Sequence, residues 1–229
     1  GARQEARVQF RLECHEVLES TSSLVKQRAE DGAAEGLAIQ ALRQSAGRGR
    51  QGRGWESPAG NLYISVLLRP AVPLRDAPQW SFVAAVALAE TLNGLLPEAS
   101  KLSLKWPNDL LLQSAKAAGI LVETGIAPSH ALDWICIGIG VNIMSKPNLP
   151  DRPTACLAEY LAAPPTPEAL AQSLLVSLAY WHGVRLQQGF APIREAWLRH
   201  APAMGAPISL KRDGALLEGA FAGLSPEGG

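Results

Sequence analysis

No stretch of this 229-residue sequence stays apolar for the roughly 20 residues that a bilayer crossing needs, and the longest runs, Trp80 to Ala89 and Trp134 to Met144, fall well short. The opening GARQEARVQF contains no apolar signal core. Cysteine is scarce: Cys14, Cys136 and Cys156 are odd in number, far apart and without a C-x-x-C pair. That argues against a disulfide framework or a zinc site and points to a reducing compartment, so the expectation is a cytoplasmic protein that does not engage a membrane. An excess of charge is missing too. Lys+Arg and Asp+Glu are both 21, so the field of the whole molecule favours neither nucleic acid nor an anionic surface. His15, His130, His182 and His200 show no metal-ligand spacing, and there is no G-K-[ST], no Gly-x-Ser-x-Gly and no cysteine beside a base.

What is present is enough apolar sequence, 47%, to bury a core as one sizeable domain with a small appendage. Against the neutral background one stretch is locally cationic. Arg43 to Tyr63, RQSAGRGRQGRGWESPAGNLY, carries Arg43, Arg48, Arg50 and Arg53 among Gly47, Gly49, Gly52 and Gly54, with no carboxylate before Glu56. Glycine lets a backbone approach a ligand closely, and guanidinium forks suit carboxylate and phosphate oxygens. The expected guest is an anion. Gly47, Gly49 and Gly52 also satisfy G-x-G-x-x-G, but that fingerprint must open a helix, whereas the element that follows, Leu62 to Leu68, reads as a strand. An RNA-binding arginine–glycine segment is the alternative, and zero net charge with no second basic patch fits it poorly.

Along the chain, Val8, Phe10 and Leu12 alternate as an opening strand, and Glu19-Ser20-Thr21-Ser22-Ser23 reads as a helix start whose hydroxyls and free N–H groups also suit a polar ligand. Gly36 to Arg43 reads as a buried strand. Asp76 to Leu96 reads as a helix capped by Asp76 with Pro78 in its first turn. Leu102 and Leu104 lead into Lys105-Trp106-Pro107-Asn108-Asp109, and Leu110 to Leu112, a turn at Ser114 and Ile120 to Val122 suggest a hairpin carrying Lys116. A cation, an amide and a carboxylate at a strand end, followed by another lysine, suit a nucleotide with its magnesium. Trp134 to Ile143, WICIGIGVNI, reads as a central strand. Its Gly138 and Gly140 admit a flat ring, and tight packing explains Asn142 less readily than it explains the glycines. Helical patterns occupy Pro167 to Gln188 and Ile193 to His200, and two short strands, Ile208 to Lys211 and Leu216 to Leu224, form an incomplete module.

Taken in order, Glu19-Ser20-Thr21-Ser22, the run Gln44 to Trp55, Lys105 to Asp109 with Lys116 to Glu123, and Gly138-Ile139-Gly140-Val141-Asn142 resemble the motifs of biotin protein ligases over nearly the whole chain. The resemblance implies an α+β fold, a mixed, largely antiparallel sheet flanked by helices of the class II aminoacyl-tRNA-synthetase-like biotin–lipoate ligase type. Residues 1–202 would be the catalytic domain and 203–229 part of an SH3-like C-terminal module. It implies that biotin and ATP, with Mg²⁺, form biotinyl-5′-AMP, and that biotin passes to a lysine of the biotin carboxyl carrier protein of acetyl-CoA carboxylase, with no tightly bound cofactor.

By the same resemblance Ser20, Thr21, Ser22, Gln44 and Gly47 meet biotin, Arg48 and Lys116 its carboxylate, and Arg50, Arg53, Lys105, Asn108 and Asp109 the phosphates. Asp109 would also be the magnesium ligand, Asn142 lies near the adenosine, and Trp55 joins the cover of the closed site; Arg48, Arg50, Lys116 and Asp109 are the catalytic set. Ser22 stands where many members have Asn, and Ser45 where a second Gln is frequent. The loop Gly47 to Gly54 is expected to order on the adenylate. With the pattern starting near Val8 there is no room for an N-terminal helix-turn-helix, so no DNA binding is expected, while homodimerisation stays open. A lipoate or octanoate ligase of related fold is the runner-up, without its R-R-x-x-G-G-G-x-V run here.

Overall fold

A computed structural model describes residues 7–229. The six N-terminal residues, part of the stretch read as lacking a signal core, lie outside the described residues. Strand β1 (Arg11–Leu18) precedes helix α1 (Thr21–Glu30), β2 (Leu37–Gln44), β3 (Leu62–Leu68), α2 (Gln79–Asn93), β4 (Ser103–Lys105), β5 (Asp109–Leu112), β6 (Ala115–Ile126) and β7 (Leu132–Val141). Helices α3 (Pro167–Gln188) and α4 (Ala191–Arg199) and the hairpin β8 (Pro207–Arg212) and β9 (Ala215–Ala220) complete the chain. Seven strands form one sheet in the order β1-β2-β3-β7-β6-β5-β4, antiparallel except for the parallel pair β1 and β2. The mixed, largely antiparallel α+β architecture expected from the sequence is the one observed.

Period-two alternation assigns each strand residue to a face. From β3 and β7, Leu62, Ile64, Val66, Leu68, Ile135, Ile137, Ile139 and Val141 join the large core under α2, α3 and α4. From the other face Leu67, Trp134 and Cys136 join a small cluster under α1, with Val25 and Ala29. Beyond that cluster the same face carries Ser65 and Gly138, which meet the first turn of α1 through Thr21 and Ser22, and then Gly140.

Several local expectations shift. The first strand starts at Arg11, and Val8, Phe10 and Leu12 pack partly buried against the large core. Asp76 is not the cap of α2. It lies in a short 3-10 turn, its carboxylate held by Arg185 of α3 at 3.1 Å, and Pro78 occupies the cap position with no side-chain bond. The β5–β6 turn forms at Gln113 and Ser114, both at positive φ (45° and 66°), the two-residue geometry that matches strand twist. The β8–β9 turn does the same at Asp213 and Gly214. The chain beyond that hairpin returns to the main body, where Phe221 and Leu224 join the large core and Trp106 Nε1 donates to Gly228 O at 3.2 Å. Among the described residues no helix is long and apolar enough to cross a membrane.

Asn61, just before β3, ties the exit of β7 in place. Its Oδ1 accepts from the backbone N–H groups of Ile143, Met144 and Ser145 at 2.9, 2.9 and 3.3 Å. Asn61→Ala leaves those donors without their acceptor, and a loss of about 1–3 kcal/mol in stability is expected by urea denaturation with an unchanged slope.

Candidate active site

This face forms the floor of a cleft of about 1150 Å³ lined by residues from α1, β2, the arginine loop, β4 to β7, the Pro147 to Thr154 connection and the β8–β9 hairpin. Its flatness comes from missing Cβ atoms. A Cβ on Gly138 would stand 2.5 Å from Ser22 Oγ, and one on Gly140 or Gly119 would stand 2.8 or 2.9 Å from the Trp55 indole. Gly119 and Gly140 face each other across β6 and β7. Trp55, expected in a cover, therefore lies against the floor between them.

At one end stands a hydroxyl and amide network. Ser20 caps α1, its Oγ accepting from Ser23 N–H at 3.3 Å. Ser65 of β3 bridges Thr21 Oγ1 at 2.7 Å and Ser22 Oγ at 2.8 Å, and Gln44 Oε1 accepts from Thr21 N–H at 2.8 Å. Gln44 Nε2 donates to Ser57 Oγ at 3.0 Å, and Gly47 is packed so closely here that a Cβ would meet Trp55 O at 2.4 Å. A network of interchangeable donors and acceptors suits a neutral polar ring.

Farther along β7 the cleft turns cationic. Lys116 Nζ stands 4.9 Å from the Trp55 ring centre and 3.1 Å from Asp109 Oδ1, while Asp109 Oδ2 accepts from Arg152 Nη1 at 2.7 Å. Both carboxylate oxygens are thus held by cations, and no group of three or more His, Cys, Asp or Glu that could hold a metal exists among the described residues. This donor set does not fit a magnesium ion seated on Asp109. Burial pushes the Lys116 pKa below the ordinary lysine value; Asp109 pulls it back, and Arg152 and Arg53 add to the lowering. Lys105 lines the same end.

Two amides expected to face a nucleotide are used by the fold. Asn108 Nδ2 donates to Ile120 O at 2.6 Å, leaving Oδ1 toward Arg50 Nη1 at 3.5 Å. Asn142 Nδ2 donates to Ala155 O at 3.1 Å, fixing the Pro-rich connection to the end of β7, and Asn142 also lines the cleft. The arginine loop folds on itself. Arg48 and Gly54 form a bridge, Gly49 N–H donates to Arg53 O at 2.7 Å, and Arg53 reaches Gln51 Oε1 at 3.0 Å. All three cysteines are free, and burial raises the Cys136 thiol to about 12, so none is an activated nucleophile.

Sequence reasoning missed Ser65, Arg152 and Glu123, which holds Arg48. Period two from Gly119 puts Glu123 on the ligand face, a signal within reach. Arg152 gave none, because its partner lies 43 residues away.

Residues 14–142 match the Biotin/lipoate A/B protein ligase family. The chain is 39% identical over 202 residues to a biotin--[acetyl-CoA-carboxylase] ligase of Paracoccus denitrificans, covering 83% of this chain and 81% of that one. It is 33% identical over 221 residues to a bifunctional ligase/repressor of Bacillus subtilis, covering 93% of this chain and 66% of that protein. The fold superposes on the biotin protein ligase of Aquifex aeolicus, solved with biotin and ATP, with a TM-score of 0.75 at 26% identity, over 95% of this chain and 89% of that one.

Arg152→Gln removes one of the cations facing Lys116 while Asp109 remains, so the Lys116 pKa rises. The pH at which Lys116 becomes half-reactive toward an amine-acylating reagent, followed by mass spectrometry, is expected to move upward; a downward move contradicts the assignment.

Proposed function

This chain belongs to the Biotin/lipoate A/B protein ligase family, and we propose that it is a biotin protein ligase that makes biotinyl-5′-AMP and delivers biotin to a lysine of a biotin carboxyl carrier protein. One observation carries this reading: a hydroxyl and amide network, a buried lysine and a glycine-rich loop with two arginines that meet no carboxylate among the described residues open into one cleft.

In the first step a biotin carboxylate oxygen bonds to the α-phosphorus of ATP and the bond to the bridging oxygen breaks, releasing pyrophosphate. Two anions must meet. Lys116, Arg50, Arg53 and Lys105 lower their repulsion, and a partly dry cleft strengthens each of these interactions. Ser20, Thr21, Ser22, Gln44 and Gly47 hold the ureido ring, which sets the carboxylate toward Lys116. Trp55, against Gly119 and Gly140, offers an apolar surface between these ends. In the second step the carrier amine attacks the carbonyl carbon, the C–O bond to AMP breaks, and the amine loses a proton. Closure of the loop over the mixed anhydride keeps water from hydrolysing it.

Magnesium enters with ATP and screens its phosphates; with Asp109 held by Lys116 and Arg152, no step is assigned to a resident ion. Residues 1–202 form the catalytic unit in this reading and 203–229 a small β module that rests on it. Three unpaired cysteines support a reducing cytoplasm. The hydroxyls and amide around Ser65 offer exchangeable donors and acceptors that a ureido ring can use and the apolar tail of lipoate or octanoate cannot, which favours biotin.

Lys116→Ala is expected to slow adenylate formation about 100-fold, and Arg50→Ala chiefly to speed adenylate release and so label proteins indiscriminately. Single-turnover formation and filter-binding release of radiolabelled adenylate separate the two; parental rates in both variants would defeat the site assignment.

A further inference from the structure

Arg48, Arg50 and Arg53 share one loop, yet their surroundings differ. Arg48 places Nη2 and Nη1 on the Glu123 carboxylate at 2.9 and 3.1 Å, and Lys26 of α1 adds a third donor at 2.8 Å. Arg50 and Arg53 have no carboxylate within 4 Å among the described residues; Asn108 and Gln51 are their side-chain partners. The backbone puts Arg48 in the stem of the loop rather than its tip, since Arg48 bridges Gly54 and Gly47 O accepts from Trp55 N–H at 2.8 Å. Arg50, Gln51 and Arg53 lie beyond that stem.

Glu123 is on β6, opposite Cys136, and by alternation shares its face with Gly119 and Leu121 on the cleft floor. A carboxylate beside a cleft that must attract two anions works against binding unless its charge is already met. Here it is met twice. Burial alone would raise the Glu123 pKa, but the hydrogen bonds and charges of Arg48 and Lys26 outweigh it and hold it below the ordinary carboxylate value. A bidentate fork also fixes direction as well as distance. One carboxylate thus ties three elements together: the loop stem, the sheet floor and the helix whose first turn carries Ser20, Thr21 and Ser22.

We infer that Glu123 is a positioning residue that fixes the stem of the arginine loop through Arg48 and Lys26, so that Arg48 is a strut and the loop delivers Arg50 and Arg53 to the substrate anions. The effect on substrates rests on the ligase reading above; the effect on the loop does not.

The test uses the full chain with Glu123→Gln, Arg48→Gln and the double variant. Each single change is expected to speed release of bound adenylate about tenfold, with the loss falling on KM for biotin more than on kcat, and the double variant is expected to be no worse than the worse single one. Faster release in Arg48→Gln but not in Glu123→Gln, or effects that multiply, would overturn the inference and return Arg48 to the ligand. A second arm needs no substrate: ligand-free Glu123→Gln should be cut by trypsin after Arg50 or Arg53 several-fold faster than the parent at an unchanged urea midpoint. An unchanged cutting rate also overturns the inference. If Glu123→Gln lowers the midpoint, Arg48→Lys, which keeps the charge but loses the fork, carries the same measurement with the same expected and contrary results. A parent that makes no adenylate refutes the ligase reading and leaves the trypsin arm to judge the loop.

Discussion

A sheet buried under helices on one face can hold a polar ligand on the other only if that second face is flat, and flatness here depends on what Gly119, Gly138 and Gly140 lack. Gly119 and Gly140 are register partners on β6 and β7, Gly138 lies two residues before Gly140 on the same face, and the space their Cβ atoms would fill is taken by Trp55 and by Ser22 Oγ. The same two strands pack Ile120, Ile137, Ile139 and Val141 into the large core. Alternation makes the two jobs compatible, since each strand serves the core with every second residue and the cleft with the others. The polar network around Ser65, the lysine at Asp109 and the folded arginine loop are arranged around that floor.

Electrostatics then divides the cations by task. Lys116 and Arg152 share Asp109, and Arg48 and Lys26 share Glu123, so these two carboxylates are neutralised in place. Among the described residues Arg50 and Arg53 at the loop tip, and Lys105 on β4, line the cleft without a carboxylate partner. A zero net charge for the whole chain is no obstacle to binding two anions, because what acts on a ligand in a partly dry cleft is the charge within a few ångströms of it.

Much of this was legible in the residues. The arginine–glycine loop, the Lys105 to Asp109 break and the GIGVN strand were each recognisable from composition and spacing, and all three line the one cleft. The strand after the loop removed the dinucleotide reading, and the alternation of WICIGIGVNI gave β7 its central place. What stayed hidden were partners distant along the chain. Arg48 meets Glu123 75 residues away, and Asp76 meets Arg185 109 residues away, which is why Asp76 read as a helix cap from its neighbours alone. The structural bond of Asn142 was hidden because its backbone acceptor, Ala155 O, is on a connection with no periodicity to place it. The contact of Trp55 with Gly119 and Gly140 was hidden too, because a loop residue's docking site cannot be seen until the glycines it rests on are brought together.

The central claim is tested most directly by incubating the full chain with Mg²⁺-ATP and, in turn, biotin, lipoate and octanoate, and measuring pyrophosphate release together with the mass of the bound product. The account predicts pyrophosphate with biotin far above the other two acids and a retained species of the mass of biotinyl-5′-AMP. Release that is equal for all three acids, or faster with lipoate, or absent with biotin, would contradict it.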